Sequence, residues 1–404
     1  MIKYFVIEYF FHVYVIYMLY IRVEIIDFFR HVCYYKIIII LLINMTFNKE
    51  KPYNELPKLP TKTDIETKAI LKAAIASRAA LATTAALCKQ LPNEAIFYNA
   101  IFLQEAKDSS EIENIITTND DLYQAMSSDK AITNPNTREV LHYIDALWVG
   151  MKSLDKRKLL STNTFIKMAN TIKENNQGIR EHPGVKIVNK NTKKVIYTPP
   201  EGKEIIFDKL KNLEEYINLN DGVDPLVKMA VIHYQFEAIH PFSDGNGRTG
   251  RIINILFLVL KDLLDHPMLF LSKYIIDNKN EYYIKLREVT EQNKWEEWIL
   301  YMLKGIEETS IYTKDKITQV VDLMLETKHK IRNELPKIYS KELLEVLFMQ
   351  PYCKISSLED AGIAKRQTAS EYLQKLEKIG LLKSIKVGKE TLYVNKKFYS
   401  LLKD

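Results

Sequence analysis

Residues 240–251 read HPFSDGNGRTGR, a His, an acid, an Asn, three Gly and two Arg in one short run between two long apolar segments. The whole chain of 404 residues holds only 12 glycines, so three in one place need a reason. Upstream, Asp224 followed by Pro225 is an N-cap and first-turn pair, which predicts that PLVKMAVIHYQFEAI begins a helix, apolar on most faces. Pro241 stops that helix at His240. Downstream, RTGRIINILFLVLKDLLD restarts a buried helix at about Arg248. Phe242 to Gly247 are then a tight loop between two core helices. Its glycines permit positive φ and let backbone N–H groups converge as a nest. A helix N-terminus beneath the nest makes it an anion receptor. Arg248 and Arg251 share one face of that first turn and add two permanent charges suited to phosphate. The loop is expected to hold a polyphosphate.

Rival readings fail on local detail. A Ca²⁺ loop starting at Asp244 wants an acid or amide at its fifth position and Glu at its twelfth, where Arg248 and Ile255 stand. An Asp-Gly or Asn-Gly hairpin needs alternating strands beside it, and these flanks are helical. A phosphate loop of the Walker type needs Gly-Lys-Ser/Thr, which the stretch lacks. A plain interhelical turn with solvated charges does not explain so many co-placed residues.

Working outward, KPYNELPKLPTK (51–62) is a Pro-punctuated lead-in, and the Ala-rich run from Ile65 is strongly helix-forming until Pro92. Helical stretches are expected at about Ala95 through Lys107, 137–152, 163–175, 203–218, and again after Asn280. VKIVNKNTKKVIYTPPEG (185–202) breaks the pattern: Val185, Ile187, Val195 and Tyr197 belong to two β-prone runs around a polar turn. Such a hairpin is marginal unless it packs on something or receives a partner strand. From about Leu335, KELLEVLFMQ, SSLEDAG and IAKRQTASEYLQKLEKIG suggest three helices, and LLKSIKVGKETLYV two strands around Gly388. That order resembles a winged helix. Its third helix opens on Lys365, Arg366 and Gln367, and its wing carries Lys383, Lys386 and Lys389.

HPFSDGNGRTGR resembles the Fic signature, HPF-x-(D/E)-GNGR-x-x-R, with every defining position filled. The similarity runs from about Tyr53 to about Ile311. It implies a mainly α fold: a Fic helical core with one β-hairpin flap, followed here by the winged-helix module. It divides the chain into an N-terminal helical segment (45–135), a catalytic core with trailing helices (136–334) and the module at 335–404. The resemblance also implies transfer of AMP from ATP to a Ser, Thr or Tyr hydroxyl of a protein. Relatives of the Doc type phosphorylate instead, but carry Lys where this chain has its Gly247-Arg248 arrangement.

By that resemblance His240 is the general base, a task suited to an imidazole titrating near about 6.5. Asp244 holds Mg²⁺ across the α- and β-phosphates. Gly245, Asn246 and Gly247 cradle the phosphates, with Arg248 and Arg251 on the leaving pyrophosphate. Tyr282 or Tyr283 is expected at the adenine pocket, with buried core tyrosines as the alternative. The hairpin at 185–198 becomes the flap that clamps the target segment by strand addition. Upstream, in EAKDSSEIENIITT, Ser109, Glu113 and Asn114 match the family's inhibitory pattern Ser/Thr-x-x-x-Glu-Gly/Asn. Glu113 paired with Arg251 would remove a γ-phosphate ligand and put negative charge in its place. Some relatives use the same Glu to remove AMP, and that alternative stays open.

The bulk numbers bound the rest. The formal charge is +6, and from 335 onward 13 basic against 8 acidic residues carry +5 of it. DNA binding through 335–404, with the core sensing nucleotide or modifying its own chain, is therefore a second reading, set against a protein-docking or dimer-packing module whose basic face is simply solvated. Self-modification and a homodimer are also compatible with the sequence. Cys33, Cys88 and Cys353 lie far apart, without metal or redox spacing, which points to a reducing cytoplasm. Residues 1–44 contain no Ala, Gly, Pro, Ser, Thr or Gln. Glu8 and His12 interrupt the first apolar run and the second is too short to span a bilayer. No small-residue cleavage site marks a signal peptide. The segment is expected to be an upstream extension outside the working protein, with Met45 as a start, and a membrane partner is not expected.

Overall fold

Thr67 opens the first helix, α1 (Lys68–Cys88), by accepting a hydrogen bond from the Ile70 amide on its side chain. The computed structural model describes residues 47–89, 93–127, 132–176, 178–189, 192–388 and 390–403. The apolar extension at 1–44, Pro92, part of the KNTKK turn and Lys389 lie outside the described residues. Next in order come α2 (Ala95–Ile112), α3 (Asn119–Ser127), α4 (Pro135–Arg157) and α5 (Thr162–Lys173). A hairpin follows, β1 (Ile187–Val188) and β2 (Val195–Tyr197). Then come α6 (Lys203–Asn218), α7 (Pro225–Ile239), α8 (Asn246–Leu260), α9 (Leu271–Asp277), α10 (Lys279–Gln292) and the long α11 (Trp295–Glu334). Residues 52–404 form one compact unit.

The small side chains of α1 let it lie close along α11, so close that hydroxyls reach the neighbour's backbone. Ser77 Oγ donates to the Leu303 carbonyl and Thr84 Oγ1 to the Ser310 carbonyl, both at 2.8 Å. By length and composition α1 also meets the criterion for a bilayer span. Its bonds are made to α11 instead.

Helices α7 and α8 form the centre. Asp224 caps α7 by accepting from the Leu226 amide at 2.8 Å, and Pro225 fills the first turn. Nearly every side chain of α7 is buried, which is why its sequence is apolar all round. The helix ends at Ile239, and His240 takes a left-handed conformation with φ 50°. Gly245, at φ 83°, is the N-cap of α8. That helix therefore starts at Asn246, slightly before the expected Arg248. Helix α2 likewise runs past the expected Lys107 to Ile112, supported by an i,i+4 bond from Gln104 to Asp108.

The hairpin is antiparallel, with Ile187 opposite Tyr197 and Val188 opposite Val195. Strands so short do not hold alone. Tyr197 Oη donates to the Ala238 carbonyl of α7 at 2.7 Å, which ties the hairpin to the helix that ends on His240. Beyond α11 lie α12 (Lys341–Met349), β3 (Tyr352–Cys353), α13 (Ile355–Asp360), α14 (Arg366–Lys378), β4 (Lys383–Val387), β5 (Glu390–Val394) and α15 (Lys396–Lys403). Their sheet has the order β3-β5-β4, antiparallel throughout. Strand β3 and helix α15 are additions to the sequence reading, the first being too short to show a period. The fold class is mainly helical with small antiparallel sheets, as expected.

Candidate active site

The loop between α7 and α8 is held by its own Asn. Asn246 Oδ1 accepts from the Phe242 amide at 2.8 Å, and Nδ2 donates to the Phe242 carbonyl at 2.7 Å. That side chain is committed to shaping the loop, so toward a ligand Asn246 has its backbone N–H to offer. Arg180 braces the other side: its Nε donates to the His240 carbonyl at 2.8 Å, its amide to the Pro241 carbonyl at 2.9 Å, and Nη2 to the Pro200 carbonyl below the hairpin.

Both loop arginines are buried, each only 1% exposed, and both already have anionic partners. Arg251 Nε donates to Ser109 Oγ and Nη2 to the Ser109 carbonyl, each at 2.8 Å. Nη2 also lies 3.0 Å from Glu113 Oε1. A Cβ placed on Gly247 would run into that same carboxylate oxygen, and would lie 3.0 Å from Arg251 Nη1. The Glu113 carboxylate thus rests against the α-carbon of Gly247. Burial pushes its carboxyl up, but the Arg251 charge and hydrogen bond, then Arg248 and His240, outweigh this and hold it below the usual carboxylate range.

The end of α2 explains how Glu113 gets there. Asn114 adopts φ 65°. Its amide donates to the Glu111 carbonyl at 2.9 Å, and the Ile115 amide to the Ser110 carbonyl at 3.0 Å. These are the paired bonds of a Schellman termination, with Asn in the left-handed position. Glu113 is the cap residue of that termination.

Four charges of alternating sign close a ring beside the loop. Lys173, the last residue of α5, places Nζ 2.7 Å from Asp244 Oδ2 and 2.7 Å from Glu139 Oε1. Glu139 Oε1 accepts from Arg248 Nη1 at 2.7 Å, and Arg248 Nη2 lies 3.6 Å from Asp244 Oδ1. The Gly245 amide donates to Asp244 Oδ1 at 2.6 Å. Among the described residues no cluster of three or more His, Cys, Asp or Glu is placed to bind a metal by itself. A single carboxylate, 62% exposed, does suit Mg²⁺, which takes its remaining ligands from phosphate and water.

Burial first, and Arg180 second, hold His240 down at about 4, against smaller upward pulls from Glu113, the Glu237 carbonyl and Asp244. The imidazole is neutral at neutral pH and free to accept a proton. Behind it, burial pushes the Glu237 carboxyl up to about 7. Tyr282 is 2% exposed in a cluster with Trp298 and Tyr301, its hydroxyl 2.8 Å from His233 Nε2. Tyr283 is 44% exposed beside it. The loop, Ser109, Glu113 and Asn114 come together, whereas Tyr282 belongs to the core. Lys173, Glu139, Arg180 and Glu237 join the site without any local sequence signal.

Three family descriptions match the chain. The Fic/DOC family N-terminal description covers residues 71–152 and the Fic/DOC family description covers 112–258. The C-terminal domain of SoFic-like protein adenylyltransferase matches 323–398. Among curated proteins, the protein adenylyltransferase fic-1 of Caenorhabditis elegans is 30% identical over 89 residues, which is 22% of this chain and 16% of that protein. A probable protein adenylyltransferase of Aquifex aeolicus is 33% identical over 79 residues, 20% of this chain and 24% of that one. The match to each thus spans less than a quarter of the relative. A solved Fic family protein of Desulfovibrio desulfuricans superposes with a TM-score of 0.52 at 18% identity, covering 83% of this chain and 98% of that chain. At that identity the likeness speaks for the fold.

Proposed function

We propose, from the match of residues 71–258 to the Fic/DOC family descriptions, that the chain is a protein adenylyltransferase kept in check by its own Glu113. It moves AMP from ATP onto a Ser, Thr or Tyr hydroxyl of a target protein or of itself. The observation that carries this reading is the Glu113 carboxylate lying against Gly247 and paired with Arg251. The loop is an anion receptor, and its present anion comes from the chain.

The chemistry follows from placement. A target segment adds to the hairpin edge, which Tyr197 holds against α7, and so brings its hydroxyl toward the end of that helix. His240 takes the hydroxyl proton as the oxygen attacks the α-phosphorus and the bond to pyrophosphate breaks. The negative charge of the polyphosphate raises the basicity of the imidazole from its resting low value. Amides at the start of α8, with Arg248 and Arg251, take up the charge of the leaving pyrophosphate. Mg²⁺, when bound by Asp244, neutralises charge on the α- and β-phosphates. While Glu113 stays on Arg251, the γ-phosphate has no seat and the α-phosphorus is out of line.

The test is label transfer from ATP to protein. Glu113→Gly is expected to raise incorporation of α-label strongly, with no γ-label, and His240→Ala in that background to abolish it. Wild-type levels in Glu113→Gly would refute the restraint, and γ-label would refute AMP transfer.

A second role is proposed for 335–404, read as a winged helix. Lys365, Arg366 and Gln367 are exposed at the start of α14, and Lys383 and Lys386 along β4. That is the footprint of a helix that enters the major groove with a basic wing beside it. Gel shifts on genomic fragments should weaken steeply with salt. Retention that ignores salt would argue against a phosphate-driven mode.

A further inference from the structure

Resting on the reading of Asp244 as the metal-holding carboxylate, we propose that Lys173 is a latch that reserves Asp244 until a nucleotide arrives. The loop then takes up a divalent cation only together with the triphosphate. Both oxygens of Asp244 are engaged: Oδ1 by the Gly245 amide and, farther off, Arg248, and Oδ2 by the Lys173 ammonium. The first two partners are fixed. The amide is backbone, and Arg248 is buried on α8 and bonded to Glu139. Lys173 is the movable one. Its side chain extends from the last residue of α5, is 23% exposed, and passes Gly245 closely enough that a Cβ there would lie 3.5 Å from Lys173 Cγ.

Charge decides the order of binding. Lys173 and Arg248 against Glu139 and Asp244 make a neutral ring. A dication held by Asp244 would compete with the Lys173 ammonium for the same carboxylate, and like-charge repulsion at that range would favour displacing Lys173. On its own it would leave the ring strongly positive, with the displaced ammonium nearby. A triphosphate supplies enough negative charge to receive both the dication and the freed lysine, which then becomes a further phosphate ligand. Glu139 keeps Lys173 close through the exchange, since it holds the same ammonium.

The experiment follows Mn²⁺ by the loss of its free-ion paramagnetic resonance signal, using the full chain, with and without an ATP analogue that carries methylene between the α- and β-phosphorus. Lys173→Met is expected to bind Mn²⁺ without nucleotide about tenfold more tightly than wild type, the order expected when one competing charge leaves a single carboxylate. Lys173→Gln, which keeps a polar end one atom shorter, should do the same, and Lys173→Arg should match wild type. Adding Asp244→Asn to Lys173→Met should remove the gain. Unchanged Mn²⁺ affinity in both neutral variants overturns the latch. Should Asp244→Asn leave Mn²⁺ binding intact even with the analogue, the metal-holding role of Asp244 falls first, and the latch with it.

Discussion

The resting basicity of His240 sets an expectation for pH. Its value of about 4 arises mainly from burial and from Arg180, and Glu113 is one of the groups that pull it upward. Removing Glu113 takes away one of those upward pulls. In Glu113→Gly protein, kcat/KM, which reports the free enzyme, should stay flat from pH 8 down to about 5. An acid limb near the ordinary histidine value of 6.5 would show that the imidazole is solvated rather than buried. Glu237 gives a second expectation of opposite character. Burial raises its carboxyl to about 7 from an ordinary 4.5, so the folded state holds a proton that the unfolded state has released across that interval. The stability tied to this proton is present at low pH and is lost as pH rises through 7. Glu237→Gln copies the protonated form, so its melting temperature should gain on wild type between pH 5 and 8. A constant offset across that range would mean that Glu237 does not titrate there.

At the scale of the element, the end of α2 decides where Glu113 points. Asn114 stands at φ 65°, where an ordinary side chain costs about 1–2 kcal/mol and a β-branched one more. Asn114→Val should therefore unwind the Schellman termination, move Glu113 off Arg251, and raise AMP incorporation while lowering the melting temperature. Asn114→Gly keeps the left-handed turn and should stay near wild type on both counts. Valine and glycine behaving alike would show that the termination does not aim the carboxylate. Ser109, Glu113 and Asn114 could be matched in the sequence to the family's pattern, but the helix end that aims them could not, since the expected helix stops near Lys107 and the observed one runs to Ile112. The loop could be read: HPFSDGNGRTGR carries its glycines, cap and arginines contiguously. The ring around Asp244 could not. Lys173 ends one helix, Glu139 lies early in another, and only tertiary packing brings their side chains within hydrogen-bond range of each other. Arg180 was hidden for the same reason, as its carbonyl partners, Pro200 and the run from Ile239 to Pro241, lie 20 or more residues away in the chain.

For the whole molecule the question is whether the segment after 335 melts on its own. Helix α11 runs 40 residues, about 60 Å at 1.5 Å per residue, and both ends of the unit pack on it. Near its start it lies along α1, and from its middle onward it meets α12 and α15, with Lys316 Nζ donating to the Leu401 carbonyl at 2.8 Å. Helix α12 also rests on α2, where Asn93 Nδ2 donates to Glu345 Oε2 at 2.9 Å. Ser127 of α3 donates to the Tyr352 carbonyl. The C-terminal elements are thus built onto the same two supports, α2 and α11, that carry the Glu113 turn and the central helices. Loss of packing at 335–404 should accordingly be felt throughout. Leu347, 1% exposed in α12, is a suitable place to introduce it. Leu347→Ala should cost roughly 2–5 kcal/mol. The chain's three tryptophans, Trp148, Trp295 and Trp298, all lie on α4 and α11, outside the C-terminal segment. Their fluorescence reports the core alone, whereas far-ultraviolet circular dichroism reports every helix. If the unit is cooperative, the variant lowers both midpoints together. An early dichroism loss with tryptophan emission unmoved would show that 335–404 unfolds independently, and that the contacts with α2 and α11 are too weak to couple it to the site.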